Sequence, residues 1–345
     1  MNDIRRVLSF NDVLLCPRYS GLEHLSDADI ECDYSGMAGV YPIINSPMDK
    51  VCSVDLIKFM DSMGCLTTIH RWFDSPEEQL KFFELCNIPG QRCFIAVGNV
   101  AKWKDWIDKI ISYSIQKVFA VNFLVDVANG DAQSAVDTVK YIKDQASWCS
   151  IIAGNVATKS GFRRLQEAGA DFIRVGIGGG SICSTRLATG FGIPTLTSVM
   201  DCAAVKDNAY LIADGGIENS GDICKAMAAG ADMVMLGKML AATSLSSGEK
   251  VDINGCKYVR YSGMASKEAI DKLKSKKSVV SVEGVSGLIP YTGETKDVFN
   301  NIIGNLRSSV AYYGGCKNWK EFRRSVKFVE ITNQGWEESK TRVNL

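Results

Sequence analysis

The 345-residue sequence predicts a parallel (β/α)8 (TIM) barrel carrying a flap after its eighth strand, and three observations support this. Short apolar runs recur eight times, amphipathic stretches of helical spacing lie between them, and glycines concentrate after the sixth, seventh and eighth runs. The competing architecture is a doubly wound open sheet. It would need a G-x-G-x-x-G turn after the first strand, and none is present there. A closed sheet leaves no edge and buries both strand faces, which suits runs this continuously apolar.

Residues 1–40 form a leading segment of mixed polarity without a helix-length period. The eight strands are then predicted at 41–45, 65–70, 93–97, 118–125, 150–155, 172–176, 209–213 and 233–236. Helical spacing appears at 54–63, 75–85, 103–114, 133–145, 159–168 and 221–229. An insertion follows over 241–290, a length that suits a lid or binding segment. Its interior carries Lys267, Lys272, Lys274, Lys276 and Lys277, which read either as a solvated basic surface or as a flap over phosphates. The stretch 295–313 closes the barrel as its last helix, and the tail holds one further strand at 327–331. With no linker, repeat array or low-complexity segment, 1–345 reads as a single catalytic domain.

Lys+Arg and Asp+Glu balance at 39 each and hydrophobic residues make up 46%, so a full core is expected and no nucleic-acid or membrane surface is indicated. The first residues lack an apolar signal core and no run reaches membrane-span length, so a cytoplasmic location is expected. Twelve cysteines scattered without a C-x-x-C pair argue for reduced thiols. The two histidines, His24 and His70, have no ligand-spaced partner for zinc, and His70 at a strand end reads as structural or substrate-adjacent.

The chemistry concentrates in Gly176-Ile177-Gly178-Gly179-Gly180-Ser181-Ile182-Cys183-Ser184-Thr185-Arg186, which begins where the sixth strand stops. Cysteines are most often small core residues. Here the glycines expose amides that suit an anion and carbonyls that suit a monovalent cation. A thiol among outward amides and near Arg186 leans toward the nucleophilic thiolate. Gly215-Gly216 after strand seven and Gly237 after strand eight free further amides for a monophosphate, with Ser181 adding a hydroxyl. Asp214 ends strand seven, either accepting hydrogen bonds from a ribose diol or capping the next helix.

The cysteine loop resembles that of the IMP dehydrogenase and GMP reductase family. The likeness extends to Phe10-Asn11-Asp12-Val13-Leu14-Leu15, Ser46-Pro47-Met48-Asp49, Asp126-Val127-Ala128-Asn129-Gly130, Ala153-Gly154-Asn155-Val156, Asp214-Gly215-Gly216, Met235-Leu236-Gly237, Gly263-Met264-Ala265-Ser266 and Glu283-Gly284. The resemblance implies a purine nucleoside monophosphate, GMP or IMP, as substrate, with Asp214 on its ribose. Backbone groups of Met264, Ala265 and Ser266 would meet the purine edge and Met48 its face. It implies a covalent intermediate on Cys183, with Thr185 and Glu283 as the proton relay a poorly electrophilic purine C2 requires. Asp126 and Asn129 would meet a nicotinamide cofactor, NADPH in the reductases. Carbonyls of Gly178, Gly180 and Cys183 would surround K+, with Glu338 of this or a neighbouring subunit nearby, in a homotetramer.

Within the family, four features resemble the reductase: no Arg-Tyr pair between Gly263 and Glu283 (Arg260-Tyr261 lies ahead of the Gly-Met motif), a short flap, no CBS modules between strands two and three, and the Asp126–Gly130 motif. Ser46-Pro47-Met48-Asp49, Asp214-Gly215-Gly216-Ile217, Ser220-Gly221-Asp222, Ile331-Thr332 and Glu338-Ser339 look more like the dehydrogenase, so a CBS-less IMP dehydrogenase using NAD is the alternative. Gly179 stands where many relatives have proline, and Lys238 where a small residue is usual. A nucleotide-binding regulator would not need Cys183, Thr185 and Glu283 together. A phosphosugar isomerase or aldolase rests on fold alone, and the Schiff-base lysine expected on an inward strand position is not apparent.

Overall fold

In the computed structural model, residues 4–117, 121–263 and 284–340 are described. The order of elements in the chain is β1 (Val13–Leu15), β2 (Cys32–Tyr34), β3 (Met37–Asn45), α1 (Val54–Ser62), β4 (Cys65–Ile69), α2 (Pro76–Cys86), β5 (Cys93–Val97), α3 (Val100–Lys117) and β6 (Asn122–Asp126). There follow α4 (Gln133–Gln145), β7 (Ile151–Val156), α5 (Lys159–Glu167), β8 (Phe172–Val175), α6 (Thr185–Thr189), α7 (Thr195–Ala203), β9 (Tyr210–Asp214), α8 (Ser220–Ala228) and β10 (Met233–Leu236). The chain continues through α9 (Lys238–Ala241), β11 (Lys250–Ile253), β12 (Cys256–Ser262), β13 (Ser286–Pro290), α10 (Thr295–Ser308), α11 (Trp319–Ser325), β14 (Phe328–Glu330) and α12 (Asn333–Glu338).

Strands β3 to β10 pair in parallel in sequence order, and β10 returns to β3 with Val234 opposite Ile43, closing an eight-stranded barrel. These are the eight predicted strands. Strict alternation along each strand sorts side chains into two cores. In β8, Ile173 and Val175 face the helices while Phe172 points into the barrel beside Leu124, Ile152 and Ile212. Two residues further along the same inward rows come Arg174, Asp126 and Asp214, so a charged layer sits directly above the apolar plug.

Helix starts follow their capping residues. Ser53, Ser75 with Pro76 behind it, Thr158 and Asn219 each accept a backbone amide of the first turn of α1, α2, α5 and α8. Since Asn219 caps α8, the capping alternative for Asp214 is set aside. A further helix, α7, forms between the sixth and seventh strands. Its opening Thr-Leu-Thr-Ser-Val is poor in helix formers, and the helix is held by burying Leu196, Val199 and Cys202.

The leading segment is more structured than its mixed polarity suggests. β1 pairs antiparallel with β14, and β2 folds onto β3. Tyr34 thereby closes the floor of the barrel, its hydroxyl donating to the Asp232 carbonyl at 2.5 Å and its ring against Phe172 and Tyr210. The open end of the barrel is therefore the C-terminal ends of the strands. The insertion contributes a three-stranded antiparallel sheet, β11-β12-β13, at that end. The predicted closing helix is α10 followed by a π-helical turn at Ser309–Tyr313. Among the described residues no helix is long and apolar enough to cross a membrane.

Candidate active site

A cavity of about 370 Å³ opens at the C-terminal ends of the strands. Met48, Asp126, Gly178, Gly180, Ser181, Cys183, Thr185, Asp214, Gly216 and Gly237 all line it. Ten of the predicted site positions, from the C-terminal ends of five strands and the loops that follow them, thus meet in one place. Asn129 does not line this cavity; its side chain accepts the Asp131 amide at 3.0 Å in a local turn. Met264, Ala265, Ser266, Glu283 and the flap lysines of 267–277 lie outside the described residues.

Cys183 is exposed, and its Sγ donates to Thr185 Oγ1 at 3.2 Å. Its amide donates to the Gly180 carbonyl at 3.0 Å, which closes the turn that presents the thiol. The loop is pinned from the flap side as well: Cys183 bridges to Gly284, and the Val285 amide donates to the Ile182 carbonyl at 3.1 Å. Gly263, on the other side of the flap, donates to the Val285 carbonyl at 3.0 Å. The two roots of the flap are therefore bonded to each other, and the Gly284–Val285 root is fastened to the cysteine loop. Arg186 is committed elsewhere, its Nη2 donating to the Ile193 carbonyl at 2.9 Å.

Gly215 and Gly216 both take left-handed backbone, at φ +86° and +79°, which only glycine adopts without strain. This double turn brings their amides up beside the cysteine loop. A Cβ on Gly215 would lie 3.0 Å from the Gly180 nitrogen. Gly179 is needed for a different reason, since a Cβ there would stand 2.5 Å from Thr195 Oγ1, a buried hydroxyl without a hydrogen-bond partner among the described residues. On the opposite wall the Tyr261 hydroxyl donates to Met48 Sδ at 3.4 Å, and a Cβ on Gly237 would meet that hydroxyl at 2.9 Å. Burial, with Asp214 adding to it, pushes the Tyr261 phenol up, so it stays a donor.

The charged layer forms one network. Arg174, 6% exposed, donates from Nη2 to Asp214 at 2.8 Å and from Nη1 to Asp126 at 2.7 Å. Asn155 Nδ2 adds a bond to Asp214 at 2.7 Å, and Arg71 Nε one to Asp126 at 3.3 Å. Burial opposes ionisation of Asp126, but Arg174 and then Arg71 outweigh it and hold the carboxyl below its usual range. The site therefore offers an exposed thiol beside a hydroxyl, an amide-rich cup for an anion, and two carboxylates fixed by arginine. Such a set suits nucleophilic chemistry on a phosphorylated ligand with a diol.

The sequence matches the IMP dehydrogenase / GMP reductase domain over residues 7–342. The chain belongs to that family. It is 34% identical to the GMP reductase of Vibrio atlanticus over 95% of both chains, and 35% identical to GMP reductase 2 of Bos taurus over 96% of both. Against the inosine-5'-monophosphate dehydrogenase of Chlorobaculum parvum it is 44% identical, over 71% of this chain and 51% of that one.

The IMP dehydrogenase / GMP reductase family likeness pointed to the cysteine loop, the glycine turns and the carboxylates, but it gave no role to Arg174, Arg71 or Tyr261. Arg174 carried one usable signal: a lone arginine in an apolar strand, in register with the inward Phe172. His70, by contrast, is structural. Burial lowers its pKa to about 4, its ring stacks on Phe73 at 4.4 Å, and its Nδ1 accepts the Trp72 amide.

Proposed function

We propose that this chain is a GMP reductase, converting GMP, NADPH and two protons to IMP, NADP+ and ammonium through a covalent bond between Cys183 and purine C2. The observation that carries the reading is the exposed Cys183 thiol, 3.2 Å from Thr185 Oγ1, on the wall of the cavity that also holds Asp214 and the glycine cup. The full-length match to GMP reductases supports the same direction. The phosphate would rest on Ser181, Gly216 and Gly237, the ribose diol on Asp214, the purine face on Met48 and its edge on Met264, Ala265 and Ser266.

In this reading the Cys183 sulfur bonds to C2 while the exocyclic amine leaves with a proton passed through Thr185 from Glu283. Asp126 and Asn129 would hold the reduced nicotinamide, whose chemistry would be the donation of a hydride to C2. The carbon–sulfur bond then breaks, its electron pair returning to Cys183, and IMP departs. Asp126 is held ionised and fixed by two arginines, which fits a hydrogen-bond acceptor of constant charge. The carbonyls of Gly178, Gly180 and Cys183 offer the oxygen donors a K+ ion takes in place of water, with Glu338 as a further acceptor. Thermal stability in potassium against a bulky organic cation tests that site without relying on turnover. A homotetramer in the cytoplasm completes the reading.

The deciding experiment supplies GMP with NADPH and, separately, IMP with NAD. Ammonia and IMP should form in the first and little XMP in the second, because a positioned base for water is worth about 10²–10⁴ in rate and none is visible in the sequence of the short flap. Sustained XMP formation at a comparable rate would replace this reading with a CBS-less IMP dehydrogenase.

A further inference from the structure

We propose that Lys238 is a direct ligand of the substrate's phosphate, and that Glu218 holds it in place until the nucleotide arrives. The inference rests on the nucleotide reading above and concerns how the cup distinguishes a monophosphate from an uncharged nucleoside. Among the described residues lining the cavity, the cations are Arg71, Arg174 and Lys238. Two of them are already committed. Arg174 is buried between Asp126 and Asp214, and Arg71 bonds Asp126. Withdrawing either toward a phosphate would take an ion-pair partner from a partly buried carboxylate.

Lys238 differs in place and in attachment. It directly follows Gly237, and its Nζ lies 3.4 Å from Glu218 Oε1, two residues beyond Gly216. The pair therefore spans the two glycine turns that form the cup. Its side chains are 39% and 57% exposed, which makes it a weak, solvent-screened ion pair. The Glu218 backbone is fixed independently, its amide donating to Asp222 Oδ2 at 3.1 Å, so the carboxylate can leave Lys238 without unravelling the turn.

Charge decides the outcome. With the pair intact the cup offers the phosphate backbone amides and a neutral ion pair, and Glu218 repels a dianion. When Nζ moves to the phosphate it exchanges one negative charge for two, while the exposed Glu218 turns to water. A lysine suits the exchange because its flexible stem carries a compact charge without fixed geometry. An uncharged nucleoside gives Lys238 no reason to move.

The test compares binding of GMP, guanosine and inorganic phosphate by calorimetry to the full chain, to Lys238→Met and to Glu218→Gln. Lys238→Met should weaken GMP by about 10- to 100-fold, the range for one charge-assisted hydrogen bond, and leave guanosine unchanged. It should also flatten the salt dependence of GMP binding, and Lys238→Arg should restore part of the loss. Glu218→Gln should tighten GMP and inorganic phosphate. GMP affinity of Lys238→Met within twofold of the parent, or equal weakening of guanosine, would overturn the proposal. GMP bound by the parent without turnover would sink the reductase reading alone, with the Lys238 comparison still supporting the phosphate contact if it behaves as expected.

Discussion

Arg174 grips Asp214 through two nitrogens, Nη2 at 2.8 Å and Nε at 3.2 Å, while Nη1 reaches Asp126 at 2.7 Å. One guanidinium thus fixes both the carboxylate proposed for the ribose and the one proposed for the cofactor side. Burial would strip its proton, but Asp214 and Asp126 outweigh that and raise its pKa further.

Arg174→Met should therefore cost about 1–3 kcal/mol in denaturant unfolding at neutral pH, because it leaves Asp126 to Arg71 and Asp214 to Asn155 alone. The deficit should narrow on acidification. In the parent, Asp126 has a depressed pKa, so its stabilisation is present above the ordinary carboxylate range and is lost as pH falls through the depressed value. In the variant Asp126 has lost its main cationic partner, so less of that stabilisation is there to lose on acidification. A gap that stays constant with pH would mean that the network carries no such linkage.

Thiol chemistry isolates the nucleophile. Of the twelve free cysteines, only Cys183 and Cys256 are exposed, whereas burial pushes Cys52 and Cys202 up to about 12. A thiol-directed alkylating reagent should label two sites fastest, and GMP should protect one of them. Cys183→Ala should remove the protectable site and abolish turnover while keeping GMP binding. Loss of GMP binding in a folded Cys183→Ala protein would argue against covalent catalysis.

His70 supplies a pH signature unrelated to catalysis. Its ring is 7% exposed and its pKa is lowered to about 4, so the folded state resists protonation that the unfolded chain accepts near 6.5. Its contribution is complete above the unfolded value and is lost as pH falls from there toward 4, amounting to about 3 kcal/mol over that window. His70→Phe should flatten this part of the stability profile while losing the acceptor for the Trp72 amide. An unchanged slope between these values would show that another group dominates it.

The barrel strands were legible because a parallel barrel buries both faces of each strand, leaving unbroken apolar runs such as Cys93–Val97. Positions after strand ends were legible too, since glycine turns and a lone cysteine mark them in the sequence. Arg174 was not, because its partners lie 48 and 40 residues away and its meaning depends on strand parity. Tyr261 was hidden in the same way, its target Met48 being 213 residues distant. β1 is a three-residue strand, too short to show a period, whereas its partner β14 falls inside the strand expected at 327–331, and α7 owes its existence to burial rather than to propensity.

The pairing of β1 with β14 has a bearing on how the chain is made. The ribosome delivers β1 early, yet the strand it must join emerges only after the whole barrel has been translated. Phe10, next to β1, hands its carbonyl to buried Lys225 at 2.8 Å and sets its ring 3.8 Å from where a Cβ on Gly216 would be. The wall behind the phosphate cup therefore waits, during synthesis, on a clasp fastened near the close of translation. A nascent chain stalled before β14 would own every barrel strand and still lack the tie that secures that wall.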